Sequence, residues 1–417
     1  MKKVENYIKT MKILSYEQWM NTTSQYPSFL EERSYIGKAK NGFRMDKYTR
    51  EFFSILEGMS QSEDVLNSKQ EEIQQLFGKW FVETVPLCKV KEDKMKIFIS
   101  GMYLATKEFV HRAKIFMVDI SNEAIFQALR NVWAMLVYQF VTFNKIQLTN
   151  SIFAYSMLYP CTDNYLDNAN ISKEDKRNFN HAVYNRLKGV NTEGCIKEIQ
   201  YVFHLIKLIE EEYPRNEFPH IYHAMISMQI AQQNSLFQQE GSLNLNEKEL
   251  LELSIEKGGI SVLMHGYLVR GNVDIEEAKF LYNFGVLLQI CDDIQDIQED
   301  EKNGHYTLVT KVASNGFLDD FTNNLFNYTR NTFHNILAIT DEEYKWIYYV
   351  MEEKIYGLII FAAFKSKMNY SEQYMKKIMR CFTYNVLYLK TFNVKINLNI
   401  RRLRRKIGKR KMEELIF

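Results

Sequence analysis

Five prolines are spread over 417 residues, and seventeen glycines add few further breaks. Proline inside a helix costs about 3 kcal/mol and glycine about 1 kcal/mol relative to alanine. A chain so poor in both, and rich in Leu, Ile, Lys, Glu and Gln, is free to run in long helices. No convincing run of alternating strand residues occurs, and no Asn-Gly hairpin separates two alternating segments. The expected fold class is therefore all-α. This length allows one large domain or two ordinary ones, and 46% hydrophobic residues supply a substantial core. We read residues 1–75 as a helical and loop extension, 76–395 as one large helical domain, and 396–417 as a basic tail.

Within that helical background one stretch changes character without a break. GVLLQICDDIQDIQED, from Gly285 to Asp300, starts apolar and ends as a row of carboxylates. Asp292, Asp296 and Asp300 recur at i, i+4 and i+8, so on a continuous helix they point roughly the same way. Leu288 lies one turn earlier on the same stripe. Carboxylates that continue a buried stripe repel one another and resist desolvation unless a cation sits among them. Hard oxygen ligands at this spacing suit Mg²⁺, which bridges one or two carboxylates to substrate phosphates. The ordinary alternative is a solvated acidic helix face, above all at Glu299, Asp300 and Glu301.

A weaker pair lies upstream. Asp163 and Asp167 are one helical turn apart, directly after the apolar SIFAYSMLYP from Ser151. Pro160 is either the first residue of a new helix or a kink within one. Lys257 lies between the two acidic groups, and Lys257-Gly258-Gly259 leads into a helix to Arg270. His220 to Gln239 reads as a helix whose second half, with Gln232, is rich in amides. The abundance of aromatic residues, 26 Tyr and 28 Phe, would line a cavity or simply pack a core. Ile36 to Gly42 reads as a loop, and residues 314–390 as three further helices.

Other classes recede on composition. A formal charge of +2 provides no global field for nucleic acid. Cys88, Cys161, Cys195, Cys291 and Cys381 form no CxxC pair, which favours a reducing cytoplasm over disulfides or a zinc site. The first residues lack the apolar core of a signal peptide, and the apolar run from Tyr356 is too short to span a bilayer. The eight histidines form no HD or HxxxH cluster of the kind metal-dependent phosphohydrolases use. Arg401 to Lys411 holds eight basic residues in eleven. It reads first as a solvated tail, with peripheral contact to anionic lipid as the alternative.

The order of these motifs resembles the class I isoprenoid synthases, the superfamily of terpene and trans-prenyl diphosphate synthases. Leu288 to Asp296, LQICDDIQD, is similar to the family's second motif, FQxxDDxxD. Lys257-Gly258-Gly259 stands where the family has a diphosphate-binding KTA-like segment, with threonine replaced. The spacing of Asp292, Asp296 and Asp300 also resembles the metal triad of terpene cyclases. The continuation from Glu299 to Gly304 is similar to squalene and phytoene synthases. Upstream, Asp163 to Asn168, DNYLDN, departs from the DDxxD of chain elongases at Asn164, and no Arg-Arg follows. It resembles instead the DYLDN-type motif of large bacterial terpene synthases.

The resemblance spans about residues 125–310. It implies an α-bundle of the isoprenoid synthase type around a central apolar cavity. It implies Mg²⁺, three ions in the family's mechanism, held by Asp163, Asp167, Asp292, Asp293, Asp296 and Asp300. Asp163, Asp167, Asp292 and Asp296 would be catalytic, and Lys257, Lys302, Arg186 and Gln289 would meet the diphosphate. The activity implied is ionisation of a polyprenyl diphosphate followed by cyclisation or elimination. The alternatives are a prenyltransferase, chain-elongating or head-to-head, and a helical homologue that has lost activity.

Overall fold

The computed structural model describes residues 2–58, 63–84, 92–166, 168, 170–190, 196–235 and 245–407. Among them the chain is all-α, with seventeen α-helices and no strand. The helices are α1 (Lys2–Asn21), α2 (Tyr35–Gly58), α3 (Glu63–Thr84), α4 (Glu92–Phe116), α5 (Asn122–Phe143), α6 (Asn150–Leu166), α7 (Lys173–Leu187), α8 (Lys197–Glu212) and α9 (Pro219–Ser235). Then follow α10 (Glu247–Arg270), α11 (Ile275–Gln295), α12 (Ile297–Asn303), α13 (Leu308–Asn315), α14 (Asp319–Ile339), α15 (Lys345–Lys365), α16 (Glu372–Cys381) and α17 (Val386–Ile407).

Local chemistry sets most of the ends. Ser121 caps α5 by accepting from Ala124 N, and Asn144 in the left-handed region (φ 51°) closes it. The helix therefore stops at Phe143. Ser172 caps α7 as its spacing to Asp175 suggests, and Asn246 with Glu249 forms a capping box on α10. Pro160 lies inside α6 rather than at its start. Three helices are expected over residues 314–390, and α14, α15 and α16 occupy that span, with α17 beginning at Val386.

Two glycine-bearing segments correct the sequence reading. The expected loop from Ile36 to Gly42 is the first part of α2, and Gly42 serves packing instead of turning. A Cβ there would lie 3.0 Å from the Tyr388 ring of α17. Likewise Lys257-Gly258-Gly259 does not precede a helix but lies in the middle of α10. Gly258 faces Gly285 of α11, and Gly259 faces the Tyr282 ring. Those contacts let the antiparallel pair α10 and α11 cross at backbone distance. This pair is the centre of the bundle, with Ile255, Leu263, Leu268, Val286, Leu287 and Ile290 buried between it and the surrounding helices.

The N-terminal helix belongs to that core. Ile8, Met11 and Trp19 of α1 are buried with the α10 and α11 residues. Asn283 on α11 donates to Gln18 Oε1 (2.8 Å) and accepts from Tyr328 on α14 (2.8 Å) and from Ser15. The Trp19 ring packs on Phe321 and Tyr328, with centroids 5.4 Å apart in both pairs. α17 docks on α2, with Leu403 fully buried against Phe53, Leu56 and Ile73. No helix among the described residues is long and apolar enough to cross a membrane.

Candidate functional site

The acidic row does not sit on one unbroken helix. α11 ends at Gln295, Asp296 takes φ −105° and ψ 8°, and α12 starts at Ile297. The i→i+4 hydrogen bonds nevertheless continue across the break. Asp296 N donates to Asp292 O (3.0 Å) and Asp300 N to Asp296 O (2.8 Å). The three carboxylates therefore stay close enough to act on one another. Burial, and after it the charge of Asp296, raises the carboxyls of both Asp292 and Asp300.

Each member has its own environment. Asp293 is buried and faces α10, where Ser254 donates to its Oδ2 (3.2 Å) and Gln289 to its Oδ1 (2.8 Å). Burial pushes its carboxyl up to about 7, against the pull of Lys257 and the Gln289 hydrogen bond. Asp300 is pushed up to about 6, by burial first and then by Asp296. Asp292 is open to solvent over much of its surface, yet the protein around it withdraws enough water to raise its carboxyl as well. Glu299 and Glu301 are exposed, as on a solvated acidic face, whereas Asp300 between them is half-buried.

Cations from three other helices act on this row. Arg130 of α5, Lys257 of α10 and Lys365 of α15 all lower Asp292. Lys257 also acts on Asp293 and Asp300, and Lys365 Nζ lies 3.5 Å from Asp296 Oδ1. Ser366 locks the end of α15 beside the row by donating to Ile294 O (2.6 Å). Gly304, in the left-handed region at φ 68°, turns the chain after α12 so that His305 N donates to Asp300 O (2.8 Å). Sequence reasoning missed Arg130, Ser254 and Lys365. Arg130 and Lys365 sit on helices far along the chain from the row, and no local motif marks either.

The remaining candidates separate. Lys302 is exposed in the last turn of α12. Arg186 is engaged by Glu210, whose carboxylate also takes Arg215. Burial alone would raise Glu210, but the two guanidinium partners outweigh it and hold the carboxyl below its ordinary value. The Asp163 side chain and all of Asp167 lie outside the described residues. Their helix can be placed by its neighbours. Ser151 of α6 donates to Leu268 O (2.9 Å) and Tyr155 to Ser261 O (3.1 Å), so α6 runs antiparallel to α10. Its last turn thus heads toward the end of the bundle where Ser254 and Lys257 meet the acidic row.

An apolar recess of about 90 Å³ lies among α5 to α9. Asn131, Tyr155, Thr162, Phe179, Met225 and Met228 line it. Gln229 and Gln232 supply amides to its wall. Gln229 donates to Asn180 O (2.8 Å), while its buried Oε1 has no partner.

Among the described residues no three His, Cys, Asp or Glu side chains are grouped closely enough to hold an ion by themselves. Mg²⁺ does not demand such a cage, because it keeps waters and takes one or two carboxylates alongside phosphate oxygens. Asp292 is exposed and Asp296 half-exposed, so an ion bound with its own ligand could reach both.

No family model, curated protein or solved structure matches the chain.

Proposed function

We propose that the chain is a class I terpene synthase built on an isoprenoid-synthase-type bundle, acting on a polyprenyl diphosphate with Mg²⁺. The observation that carries this reading is the meeting of opposite charges at one end of the bundle. Arg130, Lys257 and Lys365, from three other helices, lie within electrostatic reach of Asp292, Lys257 also reaches Asp293 and Asp300, and Lys365 meets Asp296. Neither set is satisfied by the other alone, and a magnesium diphosphate completes both.

In this reading Asp292, Asp296 and Asp300 hold the metal, with Asp163 and Asp167 as the opposing bank. Bound Mg²⁺ supplies charge neutralisation on the diphosphate leaving group. Arg130, Lys257 and Lys365 bind phosphate oxygens, and Gln289 with Ser254 holds Asp293 in place. The allylic C–O bond breaks, its electron pair leaves with diphosphate, and a carbocation remains on the prenyl chain. An apolar wall excludes water so that ring closure or proton loss outruns quenching, and aromatic faces stabilise the moving charge. The recess is smaller than the 300–1,000 Å³ or so of a typical ligand pocket. The flexible Met225 and Met228 side chains must therefore move aside for the tail.

The test is incubation with Mg²⁺ and single allylic diphosphates of increasing length, following diphosphate release and the hydrocarbon extract. Release without a second substrate, lost in Asp292→Asn, supports the cyclase. Strict dependence on isopentenyl diphosphate replaces it with a prenyltransferase, and no turnover with any length replaces it with an inactive homologue.

A further inference from the structure

The strongest unexplained surface lies on α2 and α17. These helices run parallel, as their contacts show. Gly42 faces Tyr388, Asp46 pairs with Lys395 (2.5 Å) and Glu57 with Lys406 (2.6 Å). Those ion pairs consume the inward cations. The outward face is different. On α17, Leu387, Val394 and Leu398 are 71%, 57% and 52% exposed, and Lys390, Arg401, Arg402, Arg404 and Arg405 are exposed among and beyond them. On α2, Ile36 and Phe43 are both 66% exposed, in a stripe with Lys40, Lys47 and Arg50.

Both stripes follow helical spacing. Leu387, Val394, Leu398, Arg401 and Arg405 fall on one side of α17, and Ile36, Lys40, Phe43, Lys47 and Arg50 on one side of α2. Counting about 100° per residue from the contact positions, the two stripes point to the same side of the pair, about 60° apart. Large exposed side chains at regular spacing, interleaved with basic ones, are unusual on a free surface. From Val386 to Lys411 the sequence holds ten basic residues and no acidic one, whereas the whole chain nets only +2.

We propose that the outer face of α2 and α17 is a membrane-docking surface that lies on an anionic lipid bilayer. The pattern of apolar side chains flanked by lysine and arginine suits the boundary between acyl chains and headgroups. Leu387, Val394, Leu398, Ile36 and Phe43 enter the interface while the basic side chains reach headgroup phosphates and carboxylates. A second copy of the chain is a poor occupant, because it would set two strongly basic stripes against each other. A nucleic acid would use the arginines and leave the five apolar side chains in water.

The experiment is vesicle flotation of the full chain at low salt, with phosphatidylcholine alone and with about one third phosphatidylserine. Each cation near an anionic surface contributes about fivefold in affinity, so the anionic vesicles should capture at least ten times more protein. Raising salt on the unaltered protein should release it. Leu387→Ser/Val394→Ser/Leu398→Ser and Arg401→Ser/Arg402→Ser/Arg405→Ser should each lower capture tenfold or more, with unchanged thermal unfolding. Equal capture by neutral vesicles, no capture, or capture indifferent to both triple variants overturns the proposal. So does tight binding to a DNA duplex that the apolar triple leaves intact, or a dimer that this triple abolishes.

Discussion

Replacing Gly285 by alanine tests whether the central crossing is as tight as the structure makes it. The new Cβ would lie 2.1 Å from Gly258 O and 2.8 Å from its carbonyl carbon. Ordinary contact begins near 3.4 Å, so α10 and α11 must part by about 1.3 Å (3.4 minus 2.1). The clash is with backbone, which cannot rotate away as a side chain does. Overpacking costs about 1–3 kcal/mol, occasionally more, and a gap of about 1 Å forfeits up to half of the dispersion energy along the crossing. We take about 4 kcal/mol as the cost and credit about 1 kcal/mol for replacing glycine in a helix. The net loss is about 3 kcal/mol. Gly357 in α15 is the control, because a Cβ there meets nothing within 4 Å. The same substitution at Gly357 should stabilise by about 1 kcal/mol. With an unfolding entropy of about 2.1 cal/mol/K per residue, 417 residues give about 0.9 kcal/mol/K. Gly285→Ala should therefore lower Tm by about 3 °C, and Gly357→Ala raise it by about 1 °C. Far-UV circular dichroism with heat and with urea reads both. A Gly285→Ala protein as stable as the parent, or a Gly357→Ala protein as damaged as Gly285→Ala, refutes the packing argument.

Other outcomes follow from buried charges. His265 is buried beside the Tyr155 ring, and desolvation pushes its imidazole down to about 4. The unfolded chain binds its proton near pH 6.5, so stability is full above that pH and is lost as pH falls toward 4. At pH 4.5 the loss from this group is about 2–3 kcal/mol, and His265→Gln should remove that part of the slope in urea midpoints measured between pH 7 and 4.5. Glu210→Gln leaves Arg186 and Arg215 facing a neutral amide between α7 and the end of α8. Because the pair is only partly buried, we expect a loss of about 2 kcal/mol, read as a lower urea midpoint with an unchanged slope.

Much of the architecture was legible beforehand for simple reasons. Scarce breakers and capping residues such as Ser121 and Ser172 act locally, so the all-α class and many helix limits follow from the sequence. The acidic row was legible because its signal is contiguous and its backbone bonds continue past Asp296. Glycine was misread at Gly42 and Gly258 because its local preference for turns says nothing about a partner helix. There its lack of a side chain admits Tyr388 or Gly285.

What the sequence determined, then, is what neighbours along the chain can decide: helical class, helix ends and an unbroken file of carboxylates. Lys257 was offered by its place in the sequence, but only the tertiary structure added Arg130 and Lys365 to it. Arg130, Lys257 and Lys365 sit on separate helices, and their fields reach Asp292 through space that exists only once α5, α10, α11 and α15 are packed. The same holds for Arg186, which a sequence offers as a phosphate ligand and folding gives to Glu210. Electrostatic interaction depends on distance and solvent exclusion, and neither quantity is defined until the chain has folded.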